Sequence, residues 1–517
     1  MKNKKVFLSL GVLALTAVVS IPFITAKKKI NLVFAEELPD INDSVRMPSM
    51  TFYGNTSSQM AFTWNTTNYT DSDLQVVAKS IGDFADPSVL NFRGTIEKSK
   101  VLDDGYIHRV VATELTPNTE YMYRVGDIEL NTFAESGEFK TTSNTNRDFK
   151  FVHISDPQGH NAQHYEQYHS LLEQTATVEP EFYALTGDIV DYSWIDYNPT
   201  LQQWEWALTD QWNIFKNTPV MPVAGNHEEA NYDFHSRFTL DHPAGSDYMS
   251  GEYYSVDYEG IHFTCINTND SSGRKSAETA AGLSDEQMTW IRSDLNSHKD
   301  DRFKIVLMHK GIFDSGAHCA NVDENDYDIA IIRNQLAPLF TMYGVDLVLQ
   351  GHDHLYSLSY PVVANEQGHK IDPTYTMKEV DYNGQSIRTF YNLNGTFYLN
   401  SGTSSGSKYY VPAGQETTYH IMETENPSSP MFSEVEVKDM VLVVKTYTLV
   451  NGIKSLIHSF AIDKNPYTPE PTPEPEPDPD TKIRTGCNGN IMVCSSTISL
   501  LSLVGVSLIL FRRKKKN

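Results

Sequence analysis

The sequence predicts an α/β body preceded by an all-β module, and three observations carry that reading. Five apolar, strand-like runs between Phe149 and Gly351 each end beside an aspartate, an asparagine or a histidine, with helical patterns among them. Ahead of them, residues 48–143 alternate apolar and polar side chains in short runs, as in "QMAFTWNT" and "HRVVATEL". The chain has 517 residues, 40% of them hydrophobic, with 28 Tyr and 24 Phe. That is enough apolar and aromatic material for real cores in a β-rich protein.

The elements follow in chain order. Lys2, Lys4 and Lys5 precede an apolar run from Val6 to about Thr25, so residues 1–35 read as an export signal. Residues 48–143 read as one β-sandwich, in which "LTPNTEYMYRVGD" turns at Pro117-Asn118 into a strand. Residues 148–463 alternate strands with helices. "LQQWEWALTDQWNIF" sets Trp204, Leu208, Trp212 and Phe215 at helical spacing, a core stripe. Ser284 and Gln287 form a capping-box pair, and "VEVKDMVLVVKTYTL" a hairpin around Lys438-Asp439. Residues 465–482 alternate proline with acid and predict an extended stalk. Residues 491–511 carry no charge and precede Arg512-Arg513-Lys514-Lys515-Lys516, the pattern of a membrane helix with a cytoplasmic tail. The body is therefore expected outside the cell, anchored in the cell membrane. Cys265 and Cys319 are the two cysteines of the body and leave room for one bridge at most. Cys265, in the strand-like "IHFTCIN", is expected to be inert core.

A formal net charge of −25 argues against a nucleic-acid partner, which would need a basic surface. An acidic chain that handles an anionic substrate needs a local positive centre, and metal ions provide one. Five stretches supply the ligands: "HISDPQ" with Asp156 and Gln158, "YALTGDIVDY" with Asp188 and Asp191, "VMPVAGNHE" with Asn226, His227 and Glu228, "IVLMHKGIF" with His309, and "VDLVLQGHDHLYS" with His352 and His354. Gly187, Gly225 and Gly351 stand directly before Asp188, Asn226 and His352. Carboxylates, an asparagine and imidazoles suit zinc, manganese or iron. They are too many for one ion, and two ions about 3.5–4 Å apart sharing a carboxylate would use them all.

This series resembles the calcineurin-like metallophosphoesterase family, whose pattern runs Asp-x-His, Gly-Asp-x-x-Asp, Gly-Asn-His-Asp/Glu, His, Gly-x-His. Residues 48–143, through Tyr-x-Tyr-Arg-Val-Gly, resemble the fibronectin-III-like N-terminal domain of purple acid phosphatases. The resemblance implies an α/β metallophosphoesterase sandwich of two mixed sheets flanked by helices. It implies two divalent or trivalent metal ions, with Asp188 shared, Asp156 and His354 on the first, and Asn226, His309 and His352 on the second. His227 would meet the phosphate or protonate the leaving group, oriented by Asp191, and His318 matches a substrate-side histidine by spacing. The implied reaction is hydrolysis of a small phosphorylated substrate by a hydroxide held between the metals, as an acid-phosphatase-like phosphomonoesterase. A phosphodiesterase or nucleotide hydrolase on the same site is the alternative, and a surface binding module on a disabled phosphatase fold the third. Two departures stand out. Asp191 occupies the place of the colour-giving tyrosine, with Tyr192 one residue late, so no purple colour is expected. Gln158 stands where many members have a histidine ligand, with His160 two residues on as a substitute. His153, His164, His169 and His262 read as ordinary strand or surface histidines, and Asp323, Glu324, Asp326 and Asp328 as a solvated loop.

Overall fold

The computed structural model describes residues 45–467, apart from 101–103, 144, 192–196, 229–232, 244–250, 271–279, 322–326 and 414–417. The export signal, most of the stalk, the membrane segment and Tyr192 therefore lie outside the described residues. So do three of the four loop carboxylates, Asp323, Glu324 and Asp326. Among the described residues no helix is long and apolar enough to cross a membrane.

Two sheets face each other across one hydrophobic core. In the first, Phe149–Ile154, Tyr183–Thr186 and Val220–Val223 run parallel as neighbours. In the second, Ile261–Ile266, Phe303–Lys310, Leu347–Gly351 and Phe397–Ser401 run parallel in that order. These strands are buried along nearly their whole length, which explains their continuous apolar runs. Antiparallel strands complete both sheets, so each is mixed, as expected. Phe151 and Phe182 stack at 4.8 Å in the first sheet, and Phe263 of the second meets both edge-on at 5.6 and 5.5 Å. Parallel strands send their carboxyl ends to one edge, where α/β proteins place ligands.

The N-terminal strands build the expected sandwich, but one of its sheets does not stop there. Arg46–Thr51 pairs with Met60–Thr66 and, through Thr51, lies parallel to Val220. The first sheet thus runs on without a break and reaches 12 strands among the described residues. Ser49 Oγ donates to the Arg237 carbonyl at 2.6 Å, and Phe52 meets Phe182 and Tyr258 at 5.5 and 5.2 Å.

The aromatic stripe is core, with Trp204, Leu208 and Phe215 buried, but it is not one helix. Tyr197–Trp204 passes into a π turn, Glu205–Thr209, and then Trp212–Phe215. The π turn carries two anchors: Glu205 pairs with Arg46, and Thr209 Oγ1 accepts from the Met47 N–H at 2.8 Å. Ser284 caps Asp285–Ser297 as expected, accepting from Gln287 N–H at 3.2 Å. The reciprocal half is missing, because Gln287 spends its amide on the Asn267 backbone and Asp270. Met431–Lys438 and Val441–Val450 form the expected hairpin. Cys265 and Cys319 are free and buried, so no bridge joins them.

Candidate metal centre

The ligand-type residues all stand just past, or at the end of, the parallel strands. Asp156, Asp188 and His352 take left-handed backbone, with φ of 50°, 50° and 76°. Such conformations cost a non-glycine residue energy and cluster at functional sites. Two glycines are needed for space. A Cβ on Gly225 would sit 2.2 Å from the Asp188 nitrogen, and one on Gly351 would sit 2.0 Å from Ser155 Oγ.

The strand ends bring the predicted ligands together. One ligand atom each of Asp156, Asp188 and His354 lie within 4.8 Å of one another, and so do those of Asp188, His309 and His352. Asp188 is common to both groups. His354 Nε2 lies 3.3 Å from Asp156 Oδ1, and His309 Nε2 lies 3.3 Å from Asp188 Oδ2 and 2.9 Å from Asn226 Oδ1. His309 Nδ1–H donates to the Thr186 carbonyl at 2.8 Å, a bond from one sheet to the other. His354 Nδ1 meets the Lys408 carbonyl at 3.3 Å. Each bond fixes the tautomer that turns Nε2 toward the carboxylates, the arrangement metal-ligating histidines use.

The electrostatics agree. Burial opposes ionisation of Asp188, but His309, His227 and His352 outweigh it and hold the carboxyl well below its ordinary range. Asp156 is lowered in the same way against its burial, chiefly by His354 and then His309. Burial lowers His309, yet Asp188 and Asp156 overcome it and raise the imidazole to about 9. Buried charges of one sign thus await buried charges of the other, which metal ions supply.

Around this cluster lies a rim. His227 N–H donates to Asp188 Oδ1 at 2.9 Å, and its ring Nδ1 meets the Asp191 carbonyl at 2.5 Å. Asp191 therefore orients His227, but through its main chain. Its carboxylate takes Lys408 Nζ at 2.7 Å on Oδ1 and lies against His160 on Oδ2. His160 is thus engaged away from the cluster. Gln158 reaches in with Nε2, 3.0 Å from Asp188 Oδ2 and 3.1 Å from His354 Nε2, while Oε1 accepts from Lys408 at 3.0 Å. Ligation by Gln158 would require its amide to turn over. His318 lies beside His352, ring centroids 4.6 Å apart, and Tyr410 stacks on His354 at 4.7 Å. His153 is fully buried with both ring nitrogens on hydroxyls, Ser401 and Thr186, and burial lowers it to about 3, so it is a neutral core residue.

Two residues to which the motifs give no role are central. Glu228 lies under the site and accepts three main-chain bonds, from Asp188 and Gly225 at 2.9 and 2.8 Å and from Val190 at 3.0 Å. Burial, and next the Asp188 charge, raises its carboxyl to about 8. It was visible as the last letter of "GNHE", without a role. Lys408 is the single charged residue between Gly395 and Pro412, and that isolation was the only sign of it.

Residues 149–356 match the model of the calcineurin-like phosphoesterases, and residues 47–141 match the purple acid phosphatase N-terminal domain. Residues 149–356 therefore form a calcineurin-like phosphoesterase domain. Among curated proteins, an uncharacterized protein of Mycobacterium tuberculosis is 23% identical over 60% of this chain and 61% of its own length. Acid phosphatase type 7 of Danio rerio is 26% identical over 60% of this chain and 70% of its own. The chain thus spans about three fifths of the first of these relatives. The solved purple acid phosphatase of yellow lupin seeds superposes with a TM-score of 0.60 at 18% identity, covering 83% of this chain and 78% of that one. That likeness is one of fold.

The donor set fits two ions, with three His or Asp side chains in each group, Asp188 common to both and Asn226 beside the second, and the ring tautomers are preset. Gln158 is the soft point. The variant Gln158→His is expected to retain metal through a chelator challenge that strips the wild type, read by elemental analysis, because an imidazole ligates where the amide presents a donor.

A second His/Asp group, Asp257, His262, His298 and Asp301, lies at the opposite end of strand Ile261–Ile266. Both nitrogens of His262 are taken by carboxylates, Asp257 at 2.8 Å and Asp294 at 2.9 Å, and the ring stacks on His298 at 3.6 Å. Burial lowers His262, but these bonds overcome it and raise the imidazole to about 9. A histidine raised on folding stabilises fully below about pH 6.5 and loses that contribution as pH rises through about 9. With Asp257 exposed to solvent, the loss is expected to be about 1–3 kcal/mol. The denaturant midpoint should fall between about pH 6 and about pH 9.5 in the wild type, and fall by less in His262→Gln.

Proposed function

We propose that this metallophosphoesterase hydrolyses phosphate esters, preferring monoesters in the manner of an acid phosphatase, at the outer face of the membrane that residues 1–35 and 491–511 address. The observation that carries the reading is Asp188 shared between two ligand groups at the carboxyl edge of two facing sheets. Metal ions bound there would supply Lewis acidity and neutralise charge on a phosphoryl group. The chain's own residues do the rest. Asp156, Asp188, Asn226, His309, His352 and His354 would hold the ions, and His227 Nε2 lies 3.8 Å from Asp188 Oδ2. With Nδ1–H committed to the Asp191 carbonyl, Nε2 of the doubly protonated ring is the group placed to give a proton to the departing alkoxide, which leaves the ring neutral. His318 and Tyr410, ring centroids 5.4 Å apart, form an aromatic wall beside His352 and His354.

Elemental analysis of the purified protein, together with an assay on aryl phosphate monoesters and diesters, tests the proposal. About two metal ions per chain with metal-dependent turnover of the monoester is the expected result. Bound metal without turnover on any ester would replace it with a binding role, and turnover of diesters alone with a phosphodiesterase.

A further inference from the structure

We propose that Lys408 forms, with His227, a subsite for the non-bridging oxygens of the phosphoryl group, and that its charge makes the site prefer phosphomonoester dianions over phosphodiester monoanions. The inference rests on the hydrolytic reading above and adds to it a determinant of substrate charge.

The placement of the ammonium is the argument. Lys408 reaches across 217 residues of sequence to Asp191 and 250 residues to Gln158. The Gln158 amide that it touches also touches Asp188 and His354, so the ammonium lies one amide group away from the shared carboxylate. An ammonium has three donors. Two go to Gln158 Oε1 and Asp191 Oδ1, and the third has no partner among the described residues. The side chain is 26% exposed, whereas Asp191 is 1% exposed, so the cation is on the open side of the pair. His227 Nδ1 lies 3.6 Å from the same Asp191 oxygen that takes Lys408, and its Nε2 lies 3.8 Å from Asp188 Oδ2.

Lys408 takes only one oxygen of the Asp191 carboxylate, and the ring of His160 lies against the other. The position also fits the charge balance. Asp156, Asp188 and Asp191 put three carboxylates within one cleft of a chain whose net charge is −25. A fixed cation there attracts the second negative charge of a monoester, which a diester lacks, and it does so in surroundings that screen weakly.

The test uses the full-length, metal-loaded protein with orthophosphate as probe, and Lys408→Met beside Lys408→Arg. Metal content of both variants should equal the wild type, and the melting temperature of Lys408→Met should fall only by what the unpaired Asp191 and Gln158 oxygens cost, with Lys408→Arg close to wild type. In Lys408→Met, orthophosphate affinity is expected to fall at least about 10-fold, and the kcat/KM ratio of aryl monoester to diester at least about 10-fold, mainly through KM. Lys408→Arg should recover most of both. Unchanged orthophosphate affinity and an unchanged ratio in Lys408→Met would overturn the subsite. So would a loss of metal or of folding in Lys408→Met that Lys408→Arg repairs with no restored phosphate affinity. Orthophosphate binding that depends on Lys408 without turnover of any ester would keep the subsite and refute the hydrolytic reading.

Discussion

Asp188→Asn is expected to lower metal-dependent ester hydrolysis by at least about 10³-fold and to reduce bound metal from two ions per chain to one or none. Asp188 is the one side chain common to both ligand groups, so its loss affects both ions. Asparagine keeps the shape but removes the charge that His309 and His227 stabilise. It also tolerates the left-handed backbone that this position adopts, at φ 50°. The main-chain bond from residue 188 to Glu228 is retained. The fold should therefore survive, with a melting temperature of the metal-free variant close to that of metal-free wild type. Near-wild-type turnover by Asp188→Asn would end the dinuclear model.

The second large effect is on stability. Glu228→Leu leaves three buried N–H groups, those of Asp188, Val190 and Gly225, without an acceptor. At about 1–3 kcal/mol for each orphaned donor, partly relieved by relaxation, the expected cost is about 3–5 kcal/mol. Glu228→Gln keeps one acceptor oxygen and should cost less. Urea denaturation measures both. A loss below about 1 kcal/mol in Glu228→Leu would show that the loops find other partners. The same change should misplace Asp188 and so weaken metal binding, because Glu228 fixes the loops after two neighbouring strands at once.

How much of this was legible beforehand depends on distance along the chain. Asp156, Asp188, Asn226, His309, His352 and His354 each follow an apolar run directly, so strand and ligand are read from the same few residues. The parallel sheets then gather them without further information. Lys408 was not legible, because its partners are more than 200 residues away and no local pattern ties a lysine in "GSKYY" to Asp191. The Asp191 carbonyl acting on His227 was out of reach for a related reason: a sequence names side chains, and main-chain acceptors have no letter. The aromatic stripe shows the opposite case. Its core role was readable from spacing, but the π turn within it accompanies anchors from Arg46 and Met47, some 160 residues upstream.

The unbroken first sheet has a consequence for anyone cutting the protein in two. A boundary drawn near residue 148, where the composition changes, looks like a linker but severs a sheet. It strips Thr51 from Val220, the one residue pair that joins the two parts of the sheet, and uncovers the edge of the strand that leads into Asn226 and His227. A bare strand edge invites a second copy to take the vacated place. The N-terminal sandwich is thus the guard of that sheet's edge, and the smallest well-behaved unit keeps the strand Arg46–Thr51 and its sandwich.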